Sequence, residues 1–197
     1  MNGHRRHAVL VPVKAFAAAK ARLAVVLSPD QRQALARWTA DRVVAAAGEL
    51  PVFVACDDEE VAKWAADHGA TMLWHPGIGL NAAVSRSMEQ LRHQGFSHVA
   101  VAHGDLPRAG SLADLIVPDT ITLVPDAKHD GTNVIAVPTS AQFAFSYGAG
   151  SFHRHLALAV AGGHRVLVRR DAHLARDIDT PSDLTHPLVQ EVLPSWL

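Results

Sequence analysis

Short β-branched apolar runs alternate along this chain with longer helical stretches, the rhythm of stacked βαβ units. The first run, Ala8-Val9-Leu10-Val11-Pro12-Val13-Lys14, predicts a buried parallel strand over 8–14. Further strands are expected over 52–56, 71–74, 99–102, 121–124, 133–137 and 166–168. Helices are expected over 29–47, with Ser28 or Asp30 to cap and Gly48 to end it, over 58–68 before Gly69, and over 80–94 before Gly95. A short helix over 111–116, a longer one over 151–161, an extended segment over 175–179 and a last short helix opened by Thr180-Pro181-Ser182-Asp183-Leu184 complete the α/β pattern. Neither a repeat nor a linker interrupts it, so one domain over 8–197 is expected, after a mobile polar tail over 1–7.

Composition narrows the class. At 197 residues and 49% hydrophobic, the chain can build a substantial core and reads as one soluble domain. Lys and Arg number 18 against 19 Asp and Glu, so any positive field is local and wholesale nucleic-acid binding is excluded. A lone cysteine, Cys56, sits inside an apolar strand; it allows no internal disulfide, reads as a small buried residue and suits a reducing cytoplasm. Apolar runs fall short of a membrane span, and the start lacks a signal-type stretch.

The candidate chemistry gathers at strand ends. Lys14, Lys20 and Arg22 follow the first strand, where the crevice of an open α/β sheet meets ligands, so a nucleotide phosphate is the first expectation. P-loop and Gly-x-Gly-x-x-Gly signatures are both missing. Gly77 and Gly79, ahead of Leu80-Asn81, stand between a strand and a helix and would let backbone approach a ligand, although a plain connecting loop looks the same. Asp177 and Asp179, two apart in extended chain, share a face, and Asp105 in Gly104-Asp105-Leu106-Pro107 follows another strand. Three converging carboxylates make an oxygen cage suited to magnesium; the plainer alternative has Asp179 capping the next helix and Asp177 solvated. Glycines ahead of Ser151 offer bare amides and a hydroxyl at a helix start, suited to phosphate or carboxylate, or an ordinary cap. His153 and His155, two apart, cannot form a same-face zinc pair, and no Gly-x-Ser-x-Gly elbow supports a hydrolase.

Four stretches in series then resemble one family: Val11-Pro12-Val13-Lys14 with Ala19-Lys20-Ala21-Arg22-Leu23, Asp130-Gly131-Thr132-Asn133, Gly148-Ala149-Gly150-Ser151-Phe152 with His155, and Asp177-Ile178-Asp179-Thr180-Pro181 with Asp183-Leu184. They are similar to the 2-phospho-L-lactate or phosphoenolpyruvate guanylyltransferases of coenzyme F(420) biosynthesis. Ala21 departs from the serine of that pattern, as do Tyr147 and Ala149 from its usual Phe and Pro. The resemblance implies a Rossmann-like nucleotidyltransferase fold with a mixed, mostly parallel sheet and helices on both faces, acting on GTP and a small phosphorylated carboxylic acid with magnesium. It places Lys14, Lys20 and Arg22 on the phosphates, Asp105, Asp177 and Asp179 on the metal, and Thr132, Gly148 and Ser151 on the small acid. Gly79 and Asn81 become candidates for guanine or ribose. A molybdopterin or sugar-phosphate nucleotidyltransferase would instead carry a glycine-rich signature after the first strand, and a non-catalytic module would have lost its charged positions. Sequence leaves open which acid is the acceptor, and a homodimer is compatible with the apolar helix faces.

Overall fold

In the computed structural model, which describes residues 6–197, β1 (Arg6–Pro12), β2 (Val52–Cys56), β3 (Thr71–Trp74), β4 (Phe96–Ala102), β5 (Thr120–Pro125), β6 (Thr132–Pro138) and β7 (Arg165–Val168) form one sheet. Its order is β3-β2-β1-β4-β6-β5-β7. β1 pairs in parallel with β2 and β4, β2 with β3, and β5 with β7, whereas β6 runs antiparallel to both β4 and β5. The sheet is therefore mixed and mostly parallel, as the resemblance implied.

Both faces of β1 are covered, which is why its apolar run is nearly continuous. Ala8 and Leu10 pack with Val84, Met88 and Leu91 of α3 (Gly79–His93) and with Phe152 and Ala159 of α4 (Ser151–Ala161). Val9 and Val11 face the other way, against Val43 of α1 (Pro29–Ala45). Next to them, Val54 and Cys56 of β2 pack with Ala36 and Ala40 of α1 and with Val61 and Trp64 of α2 (Glu59–Asp67). Fully burying side chains of this size contributes about 1.5–3 kcal/mol each, so the period-two alternation fixes the register firmly.

Local signals explain most boundaries. Ser28, not Asp30, caps α1: its hydroxyl accepts from the Gln31 N–H at 3.2 Å while the Gln31 side chain accepts from the Ser28 N–H at 3.0 Å. Asp58 caps α2. The expected helix over 111–116 is only a 3-10 turn, Ala113–Leu115, and the segment over 175–179 runs outside the sheet. Two short C-terminal helices, α5 (Pro181–Leu184) and α6 (Pro187–Gln190), follow it, the second unforeseen. Residues 1–5 of the expected tail lie outside the described residues, while Arg6 and His7 belong to β1. Among the described residues no helix is long and apolar enough to cross a membrane.

Candidate active site

The strand order steps outward from β1 in both directions, to β2 and to β4, and the crevice at that switch point is the expected ligand site of an open sheet. A cavity of about 410 Å³ lies there, reached by Val13 and Lys14 after β1, Asp57 after β2, Gly79 at the start of α3, and His103 and Asp105 after β4. α1 contributes Ala36 and Thr39 to its wall. The chain after β1 covers it through two 3-10 turns, Phe16–Ala18 and Ala21–Leu23. Phe16 anchors this cover, edge-on to Trp64 at 5.4 Å between ring centres. Between the turns Lys20 adopts a left-handed backbone, φ 56°, which is strained for a side chain with a Cβ.

From that backbone the Lys20 ammonium reaches inward. It donates to Asp105 Oδ2 at 3.0 Å and Asp179 Oδ1 at 3.2 Å, with the lysine side chain only 6% exposed. Burial works against its charge, but the two carboxylates outweigh burial and hold the lysine above its usual range. Asp105 is held below the usual carboxylate range: burial opposes ionisation, and Lys20 more than compensates. Asp177 has no such cation. Burial, then the charges of Asp105 and Asp179, push it up to about 6. One oxygen from each of the three aspartates lies within 4.8 Å of the other two.

Long-range contacts hold this centre together. The Ile178 N–H donates to the Asp105 carbonyl at 3.3 Å, and Asn133 at the start of β6 donates to the Leu174 carbonyl at 2.9 Å and to Asp177 at 3.4 Å. Ile178 itself is buried with Leu23, Leu27 and Leu35, so one small apolar cluster carries both the loop of Lys20 and the segment of Asp177 and Asp179. Asp183, not Asp179, serves the start of α5, accepting from the Asp179 and Thr180 N–H groups at 3.0 and 2.7 Å. Asp179 is thereby left for the centre. A divalent cation suits this donor set, because three clustered carboxylates share one ammonium and the buried Asp105 Oδ1 has no hydrogen-bond partner.

The other expected residues fare differently. Lys14 is exposed and lines the cavity, but Arg22 is exposed outside its lining. Thr132 and Ser151 are buried and spent on each other and on His155: the Thr132 N–H donates to the Ser151 hydroxyl at 3.0 Å, and the Thr132 hydroxyl meets His155 Nδ1, also at 3.0 Å. His155 Nε2 accepts from the Ser146 N–H at 2.9 Å, which leaves the ring proton on Nδ1 to point at Thr132. Burial lowers the His155 pKa to about 4, so the ring is neutral at pH 7. Nor are the first amides of α4 bare, since Asp130 takes the Gly150 and Phe152 N–H groups and the Gly148 carbonyl takes that of Ser151. Gly148 remains exposed, with φ 119°. Gly79 lines the cavity, whereas the Asn81 side chain clasps the Tyr147 main chain, accepting its N–H at 2.7 Å.

Three residues were missed. Asn133 was quoted within a motif and given no role, although it steadies Asp177. His103 lines the cavity with its Nε2 buried and unpartnered, 5.0 Å between ring centres from Tyr147, whose buried hydroxyl is equally unpartnered. Burial holds His103 below the usual histidine range. Asp57 could have been found by the rule that flagged Asp105, since it directly follows a parallel strand beside β1.

A sheet of this order with an acidic centre and lysines at its switch point accords with one class, and the family and relatives below make the chain a nucleotidyltransferase. The fold is shared with a nucleotidyl transferase from Methanothermobacter thermautotroptrophicus at a TM-score of 0.66 and 15% identity, over 92% of this chain and 94% of that one. More narrowly, the chain belongs to the family described as Guanylyl transferase CofC like, which matches residues 7–190. It is 34% identical to a phosphoenolpyruvate guanylyltransferase of Sphaerobacter thermophilus over 89% of each chain. A phosphoenolpyruvate guanylyltransferase of Streptomyces coelicolor shares 35% identity over 94% of this chain and 92% of its own.

Proposed function

We propose that this protein transfers GMP from GTP to the phosphate of phosphoenolpyruvate, or of a close relative such as 2-phospho-L-lactate, in coenzyme F(420) biosynthesis. The observation that carries the reading is the meeting of Asp105 with Asp177 and Asp179, from distant parts of the chain, opposite Lys20 and beside Lys14. The relatives named above supply the acceptor.

In this reaction a phosphate oxygen of the acid bonds to the α-phosphorus of GTP, the bond from that phosphorus to the bridging oxygen breaks, and pyrophosphate leaves. A phosphate with a second pKa of about 6 is mostly dianionic at neutral pH, so no side chain need act as base. The protein's task is alignment and neutralisation of charge. Lys14 meets the phosphates from the cavity wall, and Lys20 holds Asp105 and Asp179 in place. Asp105, Asp177 and Asp179 would hold magnesium, which when bound offsets the negative charge of the two reacting anions. Gly148, exposed on the loop that the Ser146 N–H ties to His155, would meet the small acid.

The test is pyrophosphate release with GTP, magnesium and each of phosphoenolpyruvate, 2-phospho-L-lactate and phosphoglycerate. Release with phosphoenolpyruvate is expected, as the names of the relatives suggest. Folded protein that releases none with any acid would sink the proposal.

A further inference from the structure

We infer that Asp57 selects guanine, an inference that rests on the guanylyl-transfer reading and adds the residue that chooses the nucleotide. The cavity has two unlike ends. Lys14, Lys20, Asp105 and Asp179 crowd one, and the triphosphate and metal belong there. The other is formed by the chain ends of β2 and β3, where Cys56, Asp57, His75 and Gly79 reach the cavity.

Other polar groups of the cavity wall are already spent. His75 Nε2 bonds the Ser87 hydroxyl at 2.9 Å, the Thr39 hydroxyl donates to the Ala36 carbonyl at 3.1 Å, and burial pushes the Cys56 thiol up, keeping it a weak, neutral donor. Asp57 differs. It is exposed, and its side chain accepts a long hydrogen bond, Oδ2 from the Gly77 N–H at 3.4 Å, which ties the end of β2 to the loop after β3. Across that loop α3 begins at Gly79 without a side-chain cap, and a Cβ added at Gly77 or Gly79 would meet nothing within 4 Å. A carboxylate acceptor and open, uncapped amides therefore border the same space.

A base whose triphosphate reaches Lys14 and Lys20 presents its outer edge there. Guanine carries two adjacent donors, N1–H and the 2-amino group, beside the O6 acceptor. The two oxygens of one carboxylate take both donors, and amides at a helix start suit O6. Adenine offers an acceptor at N1, which a carboxylate repels. Cytosine has one donor group beside two acceptors, and uracil one donor between two acceptors. Of the four, guanine alone fits both partners.

The experiment compares GTP, ITP (which lacks the 2-amino group) and ATP in wild type, Asp57→Ala and Asp57→Asn, by pyrophosphate release at saturating phosphoenolpyruvate and by calorimetric binding with magnesium. Because Asp57 is exposed, these variants keep the fold. Wild type should favour GTP over ITP about thirtyfold, the scale of one charge-assisted hydrogen bond. Asp57→Ala removes both bonds from GTP and one from ITP, so it should weaken GTP by about a hundredfold or more, seen in KM, weaken ITP less, and bring the two within about threefold of each other. An unchanged GTP preference in both variants would overturn the inference. Should wild type release no pyrophosphate with any acid, the transfer reading fails, and calorimetry still decides this one: a GTP-over-ITP preference that Asp57→Ala erases upholds it, and equal binding by wild type overturns it.

Discussion

The acidic centre and the Thr132–Ser151–His155 cluster meet at the start of β6, where neighbouring residues part company. A register shift against β5 falls there, and the alternation of the strand takes Thr132 to the α4 side chains and Asn133 to Leu174 and Asp177. Both clusters are polar and near glycines, and both were candidates for ligand contact. Yet one is closed: each of its three side chains finds its partner within the cluster or on a nearby main chain. The other is left wanting, with three carboxylates to one ammonium, an unpartnered Asp105 oxygen and an aspartate pushed up to about 6. The contrast teaches that polarity marks both kinds of place, while unmet demand is what sets the proposed ligand centre apart.

The contrast can be broken most forcefully at Asp177. Asp177→Asn should lower turnover by about a hundredfold or more at saturating GTP and magnesium, because electrostatic contacts of this kind act chiefly in the transition state. Near-normal turnover would remove Asp177 from the site. In the closed cluster, His155→Ala should cost about 2–3 kcal/mol of stability, seen as a fall in Tm of about 5–10 °C, since it opens a cavity and strands buried polar groups. Its turnover well below the new Tm should stay within about fivefold of wild type; a hundredfold loss would erase the distinction between the clusters.

A pH series sharpens the comparison further. Metal binding needs Asp177 ionised, so apparent magnesium affinity should fall by up to about tenfold per pH unit below about 6. An affinity flat between pH 7 and 5 would contradict that. The smallest effect concerns the metal-free protein. A carboxylate whose folded pKa is raised contributes stability below its ordinary value of 3.8, and that contribution is lost as pH rises through about 6. At pH 7.5 without metal, Asp177→Asn should therefore raise Tm, by about 3–6 °C for a relief of about 1–2 kcal/mol. At pH 4 the gain should vanish.

How far the sequence reveals all this depends on whether a signal is local. Strands over 52–56 and 71–74 and the helix over 151–161 keep their expected bounds, because period, caps and glycines agree there. The Ala-rich cover over 15–27 carries no period; its shape comes from Phe16 and Leu23 anchoring in separate apolar clusters. Asp105, Asp177 and Asp179 were legible because each lies near a strand end or shares a face of extended chain. The partners of Lys20 were not, since it bridges aspartates 85 and 159 residues away from a left-handed backbone that nothing local announces. The bonds of Thr132, Ser151 and Asn81 within the fold were hidden for the opposite reason: a polar side chain beside glycines reads the same whether it waits for a substrate or already serves its own fold.

The apolar cluster that joins Leu23, Leu27 and Leu35 to Ile178 and Val189 also orders events in time. As the polypeptide is made, Lys20 emerges early, can meet Asp105 midway, and gains Asp179 only 159 residues after itself. Every strand of the sheet lies ahead of Ile178 in the chain, so the ladder of hydrogen bonds can be complete before the clasp is made.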